Sequence, residues 1–310
     1  MKRIGCLLLV CLLLAGCTGS GPAREQTLYA MNTVMDMQLW GKDKDIAAQQ
    51  LAELIKELEK QWSVTEAAST IYDDSLTQQQ KALLDRAEEL SQRTGGAFNP
   101  KMRSVSTLWG FYNEQYRKAD FVLPTQEQIT AALADPQWDM GGILKGYAGE
   151  DAVKLLEAMD MDRALLNLGG NIQTYGTKAD GSLWQIALQD PDGGDYLGIL
   201  AVEGTMAVVT SGDYQRYFEK DGVRYHHILD PKTGCPADSG LRSVTVLSKS
   251  GTAADALSTG LFVMGLEQGT ALWQGSDDFE AVFVLTDGRI FATQGVVLTG
   301  CEYEVIDRED

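Results

Sequence analysis

Histidine is almost absent from this chain: two residues in 310, and they are adjacent. That count leaves no room for a histidine-built metal centre. Proline is scarce at 7 residues, which excludes long proline-rich linkers. Cations are outnumbered, 26 Lys+Arg against 44 Asp+Glu, for a net charge of −18. Such a surface cannot neutralise a run of phosphates, so no nucleic-acid partner is expected. The five cysteines show no CxxC spacing, which excludes a zinc ribbon and argues against a disulfide scaffold. Beyond the first fifteen residues no apolar run reaches the roughly 20 residues needed to span a bilayer.

What remains is the composition of a folded protein. Hydrophobic residues make up 44% of the chain, too many for intrinsic disorder. Glycine is abundant at 32, a supply for tight turns and close backbone approaches.

The N-terminus reads as an address. Lys2 and Arg3 precede the apolar run Ile4 to Ala15, as in a signal peptide. Leu14-Ala15-Gly16-Cys17 resembles a bacterial lipobox, with cleavage before Cys17 and lipid attachment to its thiol. The expectation is a lipoprotein signal at 1–16, a lipid-anchored flexible tether at 17–26 and a folded domain at 27–310. Cleavage would make the body more acidic still, so attachment to the extracytoplasmic face of a cell membrane would rest on acyl chains. Cys235 and Cys301 could pair in an oxidising compartment, but spacing alone does not decide it.

Periodicity outlines the folded part. Thr27 to Trp40 reads as one strand. Lys44 to Trp62 is an amphipathic helix, with Ala47, Leu51, Leu54, Ile55, Leu58 and Trp62 on one stripe. A second helix follows Thr77 and stops at Gly95-Gly96; a third starts at Thr125 with a capping box; a fourth runs from about Gly146 to Met159. Short β-rich runs then dominate: 164–168, 184–188, 197–202, 207–210, 225–229 and 241–247. A helix from about Thr252 to Met264 interrupts them, and a hairpin turns at Asp287-Gly288. Helices early and strands late predict a single elaborated α+β layered domain, not a doubly wound parallel sheet.

Four clusters could carry chemistry. Asp139-Met140-Gly141-Gly142-Ile143-Leu144-Lys145 opens a helix; it is either an anion cradle or an ordinary strand-to-helix turn, and it lacks P-loop spacing. Asn167-Leu168-Gly169-Gly170-Asn171 reads as a tight turn or a close approach to a ligand. His226-His227 lies on a β run, so only one ring enters any given site; it could assist proton transfer or be structural. Asp255 and Thr259, four apart on a helix, could share a hard cation or merely form a solvated face.

In order along the chain stand "AMNTVMDM", "TGGAFNPKMRSVSTLWGF", "DMGGILKGYAGE", "NLGGNIQTYG", "LQDP", "VTSGDYQRYF", "HHILDPKTG" and "DALSTGLFVMG". This ordered set resembles the ApbE-type FAD:protein FMN transferases, also met as thiamine-biosynthesis-type lipoproteins. The resemblance implies that family's α+β fold and its activity. FMN is transferred from FAD to a Thr or Ser hydroxyl of an acceptor protein, with release of AMP. Implied acceptors are flavin-bearing subunits of redox pumps or extracellular electron-transfer systems. By the same resemblance Mg2+, with Mn2+ as a substitute, is held by Asp255, Thr259 and the backbone at Gly142. Met31, Trp62, Ala97, Phe98, Asn99, Asp139 and Lys145 fall on or near FAD-lining positions, and His227 and Asp255 on catalytic ones. The chain departs from the pattern at Asn99, where the family often has Asp, and around Trp62. Two alternatives keep the flavin: an FAD pyrophosphatase giving FMN and AMP, and a non-catalytic flavin-binding lipoprotein.

Overall fold

The computed structural model describes residues 21–63, 76–112, 114–118 and 120–308. The signal peptide and Cys17 lie outside them. The first strand begins inside the span expected as tether, and the single strand expected over 27–40 is a hairpin, β1 (Arg24–Ala30) and β2 (Thr33–Trp40). Met31 and Asn32 make its two-residue turn with φ of 49° and 58°, the backbone of a primed hairpin turn. Without glycine there, sequence gave no turn signal. The Met31 N–H donates to Glu59 Oε1 at 2.6 Å, which ties the strained turn to the first helix.

Four helices follow as expected, α1 (Lys44–Trp62), α2 (Gln78–Arg93), α4 (Gln126–Leu133) and α5 (Leu144–Ala158), and a short α3 (Arg103–Leu108) that the periodicity did not predict stands between α2 and α4. Thr77 with Gln80, and Thr125 with Gln128, form complete capping boxes. Each satisfies two otherwise orphaned amides at its helix start. Gly95 and Gly96, both at positive φ, end α2.

Strands then dominate: β3 (Arg163–Asn167), β4 (Asn171–Tyr175), β5 (Trp184–Leu188), β6 (Gly198–Val202), β7 (Met206–Gly212), β8 (Tyr217–Lys220), β9 (Val223–His226) and β10 (Leu241–Ser248). Helix α6 (Gly251–Gln274) runs past the expected end at Met264 because Gly265, at φ 77° and ψ 177°, kinks it without stopping it. The chain closes with β11 (Phe279–Leu285), β12 (Ile290–Thr293), β13 (Leu298–Thr299) and β14 (Glu304–Ile306).

One nine-stranded sheet, ordered β1-β2-β3-β4-β7-β10-β11-β12-β14, forms the centre. Its ladder is antiparallel except for β12 with β14. Helices α1, α5 and α6 cover one face, and the small sheet β13-β6-β5 covers part of the other. Both faces of β10 are therefore buried from Ser243 to Ser248, its polar Ser243, Thr245 and Ser248 included. A smaller aromatic core joins α3 and α4 to the β8–β9 hairpin through Trp109, Phe111, Tyr116, Phe218 and Tyr225. The architecture is the α+β layered domain expected. Cys235 and Cys301 are free thiols, packed against different cores. No helix among the described residues is long and apolar enough to cross a membrane.

The closest helix approach is between α5 and α6. A Cβ added at Gly146 would collide with the Gly251 carbonyl oxygen and stand 2.7 Å from Asp255 Cβ; one at Gly251 would stand 2.5 Å from the Gly146 carbonyl oxygen. Gly146→Ala should therefore destabilise the fold by about 2–3 kcal/mol, by forced overpacking. Thermal unfolding measures this; an unchanged midpoint would show that the helices separate freely.

Candidate active site

The helix crossing aims two N-termini at each other's carboxylates. The Gly146 N–H of α5 donates to Asp255 Oδ2 of α6 at 2.9 Å. In return Glu150 of α5 accepts from the Thr252 N–H at 3.1 Å and the Ser250 hydroxyl at 2.5 Å, both at the start of α6. Each carboxylate thus meets the positive end of the other helix. Beside this joint opens a cleft lined by residues of α5, α6, β4, β7 and the loops that flank them.

Most of the residues singled out from sequence converge here. Ala97, Phe98, Asn99, Asp139, Gly142, Lys145, His227, Asp255 and Thr259 all line the cleft. Gly142 packs so closely that a Cβ there would sit 3.6 Å from Thr259 Oγ1 and 3.3 Å from the Phe98 ring. Asp139 accepts from the Gly141 N–H at 3.0 Å and shapes the turn into α5. Phe98 is fixed by its N–H on Thr94 Oγ1, 3.1 Å, and Gly260 lets α6 pack onto that turn. Lys145 Nζ donates to the Gly169 carbonyl oxygen at 3.4 Å, which ties the cleft lysine to the glycine pair after β3. There Gly169 and Gly170 have φ of 72° and 94° in a tight turn into β4.

Met31 and Trp62 do not line the cleft. Trp62 is 3% exposed and closes the apolar stripe of α1 inside the main core, the place its periodicity assigns it. Met31 sits half-buried on the hairpin turn, and only Thr33 of that turn reaches the Gly169 backbone. Sequence reasoning gave no individual role to Asn171, Ser211, Gln215 or Arg216, which line the cleft from β4, β7 and the loop after β7. Asn171 is 3% exposed, and its side chain faces the Asp255 carboxylate, whose charged form it favours. Ser211 Oγ lies 3.2 Å from Thr259 Oγ1 and 2.8 Å from Ser258 Oγ. The glycines at 169–170 and the polar run at 210–216 were the only signals available.

Electrostatically the cleft is poised. Burial pushes the Asp255 carboxyl up and the Lys145 ammonium down, and each offsets the other's shift. His227 is held well below the usual histidine range, first by burial and then by the Arg216 and Lys145 cations, so its ring is neutral at pH 7. The His227 backbone N–H donates to the Arg216 carbonyl at 3.0 Å. His226 faces the other way: Nε2 meets the Ala237 carbonyl at 3.0 Å, and the ring stands edge-on to Phe262. The adjacent pair therefore splits between site and core, His226 ending β9 and His227 lying in the bend that follows it.

A divalent cation fits the donors present. Asp255 and Thr259 offer a buried carboxylate and an alcohol one turn apart, and Gly142 adds backbone beside them. No cluster of three His, Cys, Asp or Glu exists among the described residues. An oxygen-only set this small suits Mg2+, which fills its remaining positions with water and substrate phosphate, and does not suit zinc.

Fold and cleft together define an α+β protein with a groove lined by Gly141, Gly142, Lys145 and Arg216 and by the carboxylates of Asp139 and Asp255. The comparisons with known proteins agree. The ApbE family model matches residues 31–283. An FAD:protein FMN transferase of Treponema pallidum (strain Nichols) is 35% identical over 261 residues, 74% of this chain and 71% of the relative. That of Klebsiella pneumoniae (strain 342) is 32% identical, covering 82% and 86%. Among solved structures, the ApbE protein of Thermotoga maritima superposes with a TM-score of 0.80 at 29% identity, over 88% of this chain and 97% of that one. The flavin transferase ApbE of Vibrio cholerae gives 0.77 at 28%, over 88% and 98%. The chain belongs to the ApbE family.

The histidine pair makes a pH prediction. Burial lowers His226 to about 4, so the unfolded chain binds a proton that the folded one refuses between pH 6.5 and 4. Stability supplied by this group is full above pH 6.5 and falls on acidification, by about 1.4 kcal/mol per pH unit across that window. Urea unfolding at pH 6.5 and 4.5 measures the slope. His226→Gln, which can still donate to Ala237, should reduce the slope and leave the part that the buried His227 supplies; an unaltered slope would contradict the assignment.

Proposed function

We propose that the chain is an FAD:protein FMN transferase: it binds FAD in this cleft, joins FMN to a Thr or Ser hydroxyl of an acceptor protein and releases AMP. The observation that carries this reading is the meeting of Asp255 and Thr259 with Lys145 and His227 in one groove. Family membership and relatives bearing that name support it.

In the reaction the acceptor oxygen forms a bond to the FMN-side phosphorus while the phosphoanhydride bond breaks and its oxygen leaves on AMP. The hydroxyl proton needs an acceptor, and His227, kept neutral by burial and neighbouring cations, has the lone pair to take it. Lys145 and the Gly142 N–H hold phosphate oxygens at the start of α5. Asp255, Thr259 and the Gly142 backbone would hold Mg2+, with Mn2+ as a substitute; when bound, the cation neutralises phosphate charge and steadies the leaving group. Phe98 and Ala97 give the flavin or adenine ring an apolar surface. The implied acceptors are flavin-bearing subunits of redox pumps or of extracellular electron-transfer systems. The lipobox at Cys17 supports a protein anchored by lipid to the outer face of the cell membrane.

Incubating the protein with FAD, Mg2+ and a co-expressed candidate acceptor tests this. The expected result is covalent flavin on the acceptor, seen as in-gel fluorescence, with AMP released in equal amount. FMN and AMP free in solution over an unmodified acceptor would make the protein a pyrophosphatase; bound FAD without AMP would make it a carrier. Asp255→Ala should abolish turnover. His227→Ala should lower the transfer rate about 100-fold or more while FAD still binds, the usual range for a lost general base. Undiminished transfer in either variant would remove the role assigned to that residue.

A further inference from the structure

The loop between β7 and β8, residues 213–216, is built to present one side chain. Asp213 is a buried anchor: its carboxylate takes Arg242 at 2.6 Å and Arg224 at 3.5 Å, and its N–H donates to the Arg242 carbonyl at 3.1 Å. Tyr214 lies back over Gly212, where a Cβ would strike its ring, and burial pushes its phenol up to about 12. Gln215 Nε2 donates to the Thr210 carbonyl at 3.3 Å and stands beside Gly170. The Arg216 carbonyl is taken by the His227 N–H. With backbone and neighbours fixed, the Arg216 side chain is left to line the cleft.

Its guanidinium lacks what other arginines of this region have. Arg117 holds Glu114, Arg224 holds Asp213 and Glu219, and Arg242 holds Asp213 and Asp192. Arg216 pairs with no carboxylate among the described residues, in a chain with 44 acidic side chains against 26 basic ones. A half-buried, unpaired cation is unfavourable until an anion arrives. The planar guanidinium fork matches phosphate oxygens two at a time, which a lysine cannot do. Lys145 enters the same cleft from α5, a different wall, and its charge and that of Arg216 act on a shared neighbour, His227.

We propose that Arg216 is a phosphate-gripping residue that works with Lys145, so that the cleft selects a flavin bearing a diphosphate over one bearing a single phosphate or none. The inference deepens the FAD reading and rests on it, but its test needs no transfer.

Binding of FAD, FMN and riboflavin to the full chain, without acceptor, is followed by flavin fluorescence for wild type, Arg216→Gln and Arg216→Lys. Arg216→Gln should weaken FAD at least tenfold, FMN less, and riboflavin by under twofold. Arg216→Lys should recover only part of the FAD affinity. Unchanged FAD affinity would overturn the proposal, and so would an equal loss for all three flavins, since a merely structural role moves them together. If the Gln variant does not fold, the Lys variant decides: its FAD affinity must fall while riboflavin stays. A wild-type chain that shows this selectivity but flavinylates no acceptor would sink the transferase reading and leave this one standing.

Discussion

The backbones of α5 and α6 touch at Gly146 and Gly251, and that contact sets Asp255, which lines the cleft, against the start of α5. Only residues without a Cβ allow that approach. It brings the first turn of α5 within hydrogen-bonding distance of Asp255 and the first turn of α6 within reach of Glu150. Two helix N-termini and two carboxylates thereby fix one another's position. The arrangement is rigid where chemistry needs rigidity, because it rests on regular helices packed on a wide sheet and not on loops alone.

From that joint the electrostatics follow. Asp255 is buried, so its charge is held by the α5 amide and by Lys145 nearby, not by water. Lys145 is buried in turn and depends on Asp255. Two opposed, desolvated groups of this kind respond strongly to a third charge entering between them, because the local dielectric is low. A cation on the Asp255–Thr259 side and phosphates on the Lys145 side would complete the balance. His227 stands at the edge of this field, kept neutral by it, which suits a proton acceptor.

Much of this was legible in the sequence, for local reasons. The stripe over 44–62, the capping boxes at Thr77 and Thr125 and the Asp287-Gly288 turn each encode their structure within a few residues. The i, i+4 spacing placed Asp255 and Thr259 on one face before any tertiary information. Non-local features were not legible. The Met31–Asn32 turn adopts positive φ without glycine and leans on Glu59, far along the chain. Strand β4 carries buried Gln173 and Thr174, polar positions that disguise a central strand. Asn171 and Arg216 join the cleft only because β4 and β7 are sheet neighbours and the 213–216 loop is stapled by distant arginines. Trp62 is read two ways: its helical period assigns it to the core, where it is buried, and the resemblance assigns it to the ligand.

The central claim is that Asp255 and Thr259 hold a hard cation against phosphates gathered at the start of α5. Anomalous diffraction from crystals grown with FAD and Mn2+ addresses it directly. The account predicts a manganese peak coordinated by Asp255 and Thr259, bridged to the FAD diphosphate, with Lys145 on the same phosphates. A manganese peak away from Asp255, or a diphosphate lying outside this cleft, would contradict it.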